Sequence, residues 1–219
     1  MTVTHTIKSG QTLLIREAES SDAAAALDYV NRVTRETDFL TMGPGDFKMT
    51  LEQEAAFLES CKKNPQRCFF VCFVDGELIA MANVTCGTRP RLKHRGEFGI
   101  SVLKSAWGLG VGGLLLDHLI GWARDNPVLT KLDLRVRSDN ERAIALYRQR
   151  GFNKANYELM MRDATATLAD ELRTLPPIIS SPLSPKGSAR LRASKASARD
   201  GSVDERATLL SAAGHEHAV

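Results

Sequence analysis

Apolar residues in this chain recur in two alternating rhythms, one close to the helical repeat and one close to the strand repeat, and the changes between them mark out the elements. Leu13-Leu14-Ile15-Arg16 reads as a first strand. Ser20-Ser21-Asp22 then caps a helix running to about Arg35, with Ala26, Leu27, Val30 and Val33 on one stripe. Residues 39–48, with Gly43-Pro44-Gly45 inside, form a loop. Thr50-Leu51-Glu52-Gln53 has the form of a capping box, in which side chains at both ends of the first turn satisfy orphan amides. Leu51, Ala55, Leu58 and Cys61 give the following helix an apolar face that stops near Asn64-Pro65.

The rhythm then changes. Residues 69–74 are almost unbrokenly apolar, as expected of a strand buried on both faces, and residues 77–84 form a second strand across an Asp75-Gly76 turn. A third run, residues 98–102, leads into Trp107-Gly108-Leu109-Gly110-Val111-Gly112-Gly113 and a helix from about Val111 to Asp125. Residues 131–137 alternate strictly between apolar and charged. Ser138-Asp139-Asn140 caps a last helix that Gly151 closes, and residues 152–162 supply a final strand or two very short ones. The order is β-α-α-β-β-β-α-β-α-β, with the sheet central and helices on either side.

Composition narrows the class. The chain has 219 residues, 43% hydrophobic and 25% charged, enough for one sizeable core plus an appendage. A net charge of +3 is small for that length and selects no particular partner. Cys61, Cys68, Cys72 and Cys86 lack metal-type pairing and read as buried free thiols in a reducing compartment. No run approaches the roughly 18 apolar residues needed to span a bilayer, so a cytoplasmic protein with no membrane partner is expected. From about Ala164 the chain becomes rich in Ser, Ala, Pro and Arg, and residues 164–219 read as a disordered tail. Its basic stretch, residues 186–199, has no interleaved aromatics and reads as a solvated charge run rather than a nucleic-acid contact. A lone His-x-His such as His215-Glu216-His217 makes a poor metal site, and no metal is expected.

The candidate chemistry lies between Glu97 and Phe152. Glycines allow positive φ and close approach of a ligand to the backbone, and the first turn of a helix offers unpaired N–H groups at its positive end. Such a turn cradles an anion, and a diphosphate suits it. Gly108-x-Gly110-x-x-Gly113 also satisfies the dinucleotide fingerprint, with Asp133 at the distance of a ribose-binding acid. That reading fails on context, because several residues separate the strand from the first glycine and no further strand-helix units follow residue 152. A phosphate loop of the nucleotidase kind is excluded, since no Gly-Lys-Ser/Thr follows.

Trp107-Gly108-Leu109-Gly110-Val111-Gly112 resembles the Gln/Arg-x-x-Gly-x-Gly/Ala signature of the GNAT superfamily of N-acetyltransferases. Residues 140–152, Asn-Glu-Arg-Ala-Ile-Ala-Leu-Tyr-Arg-Gln-Arg-Gly-Phe, resemble that superfamily's Asn-x-x-Ala-x-x-Leu-Tyr-x-x-x-Gly-Phe segment. Trp107 stands where the family more often has Gln or Arg. The resemblance covers roughly residues 12 to 162. It implies an α/β (α+β) fold with a mixed, mainly antiparallel sheet flanked by helices, and a division into an N-terminal extension (1–11), an acetyltransferase domain (12–163) and the tail.

The resemblance also implies acetyl-CoA as co-substrate, its diphosphate on the amides of Leu109, Gly110, Val111, Gly112 and Gly113 beside Gly108. The pantetheine arm would pair with the open strand edge at Val102 and Leu103, and Asn140 would contact it directly or through water. The Val102 N–H would face the thioester carbonyl, where negative charge develops. Tyr147 matches the family tyrosine that protonates the leaving thiolate; a half-buried helix tyrosine is the plainer alternative. Several family members carry a carboxylate where this chain has Arg135, which leaves Glu97 as the candidate base, acting directly or through water. A surface carboxylate paired with Arg95 or Arg91 is the alternative, and His94 is a second candidate. The acceptor would be an amine on a small molecule or a protein, bound near residues 39–47; polyamine, amino acid, aminoglycoside and protein N-terminus all stay open, as does homodimerisation. A module of the same fold that binds coenzyme A without catalysing is the competing reading.

Overall fold

A computed structural model describes residues 2–87 and 89–153 and the backbone of residues 157–160. The segment read as a tail lies outside the described residues. Seven strands form one sheet in chain order: β1 (Val3–Thr6), β2 (Thr12–Glu17), β3 (Arg67–Val74), β4 (Glu77–Cys86), β5 (Arg95–Val102), β6 (Lys131–Arg137) and β7 (Tyr157–Met160). Neighbours from β1 to β5 are antiparallel, whereas β5, β6 and β7 run parallel. The parallel pairs need crossovers, which the helices α3 (Val111–Asp125) and α4 (Glu141–Gln149) supply. Helices α1 (Ala23–Glu36) and α2 (Leu51–Lys63) connect β2 to β3. The mixed, mainly antiparallel sheet flanked by helices is the architecture expected above.

The alternation in β3 explains two separate cores. Cys68, Phe70, Cys72 and Val74 face one side, where they meet Val111, Leu115, Leu116 and Leu119 of α3 and Tyr147 of α4. Phe69 and Val71 face the other, against Ala26, Tyr29, Val30 and Val33 of α1 and Phe57, Leu58 and Cys61 of α2. The four cysteines are buried free thiols, and burial pushes Cys61 and Cys86 up to about 11 and Cys72 up to about 12.

Local signals hold with three corrections. Asp75 and Gly76 have φ of 50° and 81°, the left-handed pair a tight hairpin turn requires. Thr50 and Gln53 make the reciprocal capping box. Leu51, however, is 49% exposed; Leu58 and Cys61 take the core face of α2 as expected, and Glu54 and Phe57 join them there. Residues 1–11 are not a mere extension, since Val3–Thr6 pairs with Thr12–Ile15 and adds an edge strand. Arg95 pairs with Asp133, not Glu97, and Arg135 stands against Glu97.

Candidate active site

The sheet forks between β5 and β6. Their pairing covers Arg95–Glu97 against Lys131–Asp133, and the strands then part on either side of a cleft bordered by Phe98, Ile100 and Val102 on one wall and Val136 and Arg137 on the other. Gly96 permits the closed end: a Cβ there would lie 2.8 Å from Val84 and 3.1 Å from Leu129. Beyond it the rings of Phe98, Tyr147 and Phe152 cluster, 5.4–6.2 Å apart between centroids, and Phe98 and Tyr147 line the cleft. The cleft encloses about 530 Å³.

The open wall offers backbone. Leu103 donates its N–H to Ile79 O of β4 at 3.0 Å. In an antiparallel ladder alternate residues point to opposite neighbours, so the N–H and C=O of Val102 turn away from β4 into the gap. The Val102 carbonyl there accepts from Trp107 Nε1 at 2.8 Å, and a carbonyl has a second lone pair for another donor. Leu103 itself is fully buried, its amide committed to the sheet.

A short 3-10 turn, Lys104–Ala106, carries the chain from β5 to the glycines. Gly108 and Gly110 adopt φ of 78° and 91°, and Gly110 caps α3 in the left-handed conformation. Gly113 N donates back to Gly110 O at 3.1 Å, while Val111 and Gly112, in the first turn, have no carbonyl of their own helix to reach. Gly108, Gly110, Val111, Gly112 and Gly113 line the cleft, and Leu109 lies behind them, its carbonyl accepting from Lys8 N at 3.2 Å. These amides and the open edge at Val102 fit a ligand with a diphosphate at one end and an amide-bearing arm.

Asn140 combines both expected roles of position: its side chain caps α4 by accepting from Ala143 N at 3.1 Å, and it lines the cleft. Tyr147 lines the cleft as well and is only 6% exposed, and burial holds its phenol well above the ordinary value, protonated at neutral pH. Glu97 occupies a different place. It is not among the described residues lining the cleft; alternation along β5 puts it on the face of Ser101, which accepts from Tyr29 of α1 at 2.9 Å, one residue from the Phe98 that touches Tyr147. Arg135 Nη2 stands 3.3 Å from Glu97 Oε2 across the fork. The two expected acid-base residues thus flank the fork from opposite faces.

Thr37, Phe39, Leu40 and Thr41 also line the cleft, three of them within the segment read as the acceptor loop. Arg137 fastens this loop to β6, donating to Asp38 O at 2.6 Å, pairing with Asp139 and stacking on Phe39 at 5.1 Å. Sequence reasoning missed Lys8, which lines the cleft from about a hundred positions upstream and carries no local signal, and Arg142, which stacks on Trp107 at 4.6 Å and lay unremarked inside the second motif.

A family model described as the acetyltransferase (GNAT) family matches residues 35–152. An L-amino acid N-acetyltransferase of Escherichia coli (strain K12) is 31% identical over 83 residues, which are 37% of this chain and 51% of that protein, so the match spans about half the relative's length. A GNAT-family acetyltransferase of Streptococcus pneumoniae superposes with a TM-score of 0.63 at 35% identity, over 64% of this chain and 84% of that one. A ribosomal-protein-alanine N-acetyltransferase of Brucella melitensis gives 0.54 at 27% identity, over 64% and 83%.

Proposed function

Because the chain belongs to the GNAT family of acetyltransferases, we propose that it moves an acetyl group from acetyl-CoA to a primary amine by direct transfer in a ternary complex. The observation that carries this reading is the fork: an open strand edge, a glycine-capped helix start and Tyr147 all border one cleft. The co-substrate supplies a thioester whose carbonyl carbon is the electrophile. The Val111 and Gly112 amides and the start of α3 hold its diphosphate, and Val102 pairs with its arm.

The Val102 N–H, aimed into the gap, stabilises negative charge on the carbonyl oxygen when the amine attacks. The new C–N bond forms as the C–S bond breaks; Tyr147 gives its proton to the departing sulfur, and the amine's proton passes to Glu97, directly or through water. Arg135 stands beside that carboxylate, its Nη2 3.3 Å from Glu97 Oε2. This contact is also what favours the second reading, a module that binds coenzyme A without turnover.

Release of coenzyme A thiol from acetyl-CoA by the full-length chain, across polyamines, amino acids, aminoglycosides and short peptides, tests the proposal. Release that depends on one amine class supports the enzyme. Binding of acetyl-CoA with no release on any amine supports the module instead.

A further inference from the structure

The β1–β2 hairpin lies outside residues 35–152, the stretch the family model matches, yet it reaches the glycine end of the cleft. Its turn is a fixed one. Ile7 N donates to Gln11 O at 3.0 Å, Gly10 N donates to Ile7 O at 2.9 Å, and Gly10 takes a φ of 85° that its missing Cβ allows. Ile7 is 4% exposed and belongs to the same core cluster as Val111, the first residue of α3. The next residue, Lys8, straps the hairpin to the glycine turn through its own N–H and the Leu109 carbonyl. Lys8 is exposed and lines the cleft together with Gly108 and Gly110.

Charge makes that position meaningful. A diphosphate carries two negative charges, whereas a helix start offers only about half a positive charge and uncharged amides. Among the described residues, four cations line the cleft: Lys8, Arg135, Arg137 and Arg142. Arg137 is engaged by Asp139 and the Asp38 carbonyl, and Arg135 sits across the fork against Glu97, both away from the glycines. Arg142 stacks on Trp107. Arg150, whose guanidinium lies against Gly113, is held bidentately by Asp117 at 2.7 and 3.0 Å. Lys8, by contrast, is tethered at the glycine turn by its own backbone N–H, and its side chain has a reach of roughly 6 Å, set by four C–C bonds and one C–N bond.

We propose that Lys8 is a ligand of the cofactor's diphosphate, so that the N-terminal hairpin is part of the acetyl-CoA site. The inference rests on the reading of the cleft given above. Its test is calorimetric titration of the full-length protein, Lys8→Gln and Lys8→Arg with acetyl-CoA and with 3′-dephospho-CoA at low ionic strength, alongside thermal unfolding of each variant. Lys8→Gln is expected to weaken both ligands about tenfold, the effect of one charge-assisted hydrogen bond, with Lys8→Arg near the parent and all three unfolding together. Rising salt should shrink the difference. Equal affinity of Lys8→Gln and the parent for acetyl-CoA overturns the proposal. So does a loss confined to acetyl-CoA and absent for 3′-dephospho-CoA, which would assign Lys8 to the 3′-phosphate, and so does a loss accompanied by a lower unfolding temperature in Lys8→Gln but not in Lys8→Arg. Failure of the parent itself to bind acetyl-CoA would remove the reading of the cleft, and the inference with it.

Discussion

Tyr147 shows how much one side chain's surroundings decide. Packed between Phe98 and Phe152, its phenol is held protonated far above neutral pH, which fixes its direction of use: it can give a proton to a thiolate but cannot serve as a resting base. Tyr147→Phe keeps the ring and removes only the proton. Turnover in a thiol-release assay should fall about a hundredfold while the dissociation constant for acetyl-CoA changes by less than about twofold. An unchanged turnover would remove the acid role. The tyrosine and Asn140 were legible in the sequence because both sit in one short motif on one helix. The Glu97–Arg135 contact was not, because it joins two strands whose register is set by the sheet. Arg95, read beside Glu97, turns out to pair with Asp133 for the same reason.

At the scale of elements, the turn from β5 to α3 carries most of the site. Its glycines differ in what they do. A Cβ at Gly110 would meet nothing within 4 Å, but the residue holds a φ of 91°, so the cost of a side chain there is conformational rather than steric. Gly110→Ala should lose about 1–2 kcal/mol in chemical denaturation. Relaxation of the turn would also shift the Val111 and Gly112 amides, so acetyl-CoA affinity should fall with stability; retained affinity would separate the turn's geometry from binding. Gly113 is constrained differently, by Arg150 at 2.5 Å from its Cβ position, a flexible side-chain end that can move. The string of glycines was plain in the sequence, whereas the division of labour among them needed backbone angles and neighbours.

For the whole molecule, the joint between the sheet and the α1–α2 layer is the Arg16–Asp22 pair, closed by two hydrogen bonds of 2.6 and 2.7 Å and supported by Glu19 N at 2.8 Å. Burial alone would raise the Asp22 carboxyl, but the Arg16 hydrogen bonds, the Glu19 amide and the Arg16 charge together hold it below its ordinary value. A carboxyl depressed in the folded state contributes stability above its unfolded pKa, near 4, and loses it as the pH falls through the folded value. Stability measured by denaturant should therefore drop below about pH 4, and Asp22→Asn should be less stable at neutral pH with a flatter acid limb; an equally steep limb would clear this pair. The sequence by itself determined the elements from β2 onward, the two motifs and the family, because periodicity, caps, the Asp75-Gly76 turn and glycine spacing act over a few residues; the edge strand β1 carried no such signal. Only the tertiary structure decided where β5 and β6 part, which face Glu97 takes, and that Lys8 reaches the glycine turn, because these depend on strand register and long-range packing that no local pattern encodes.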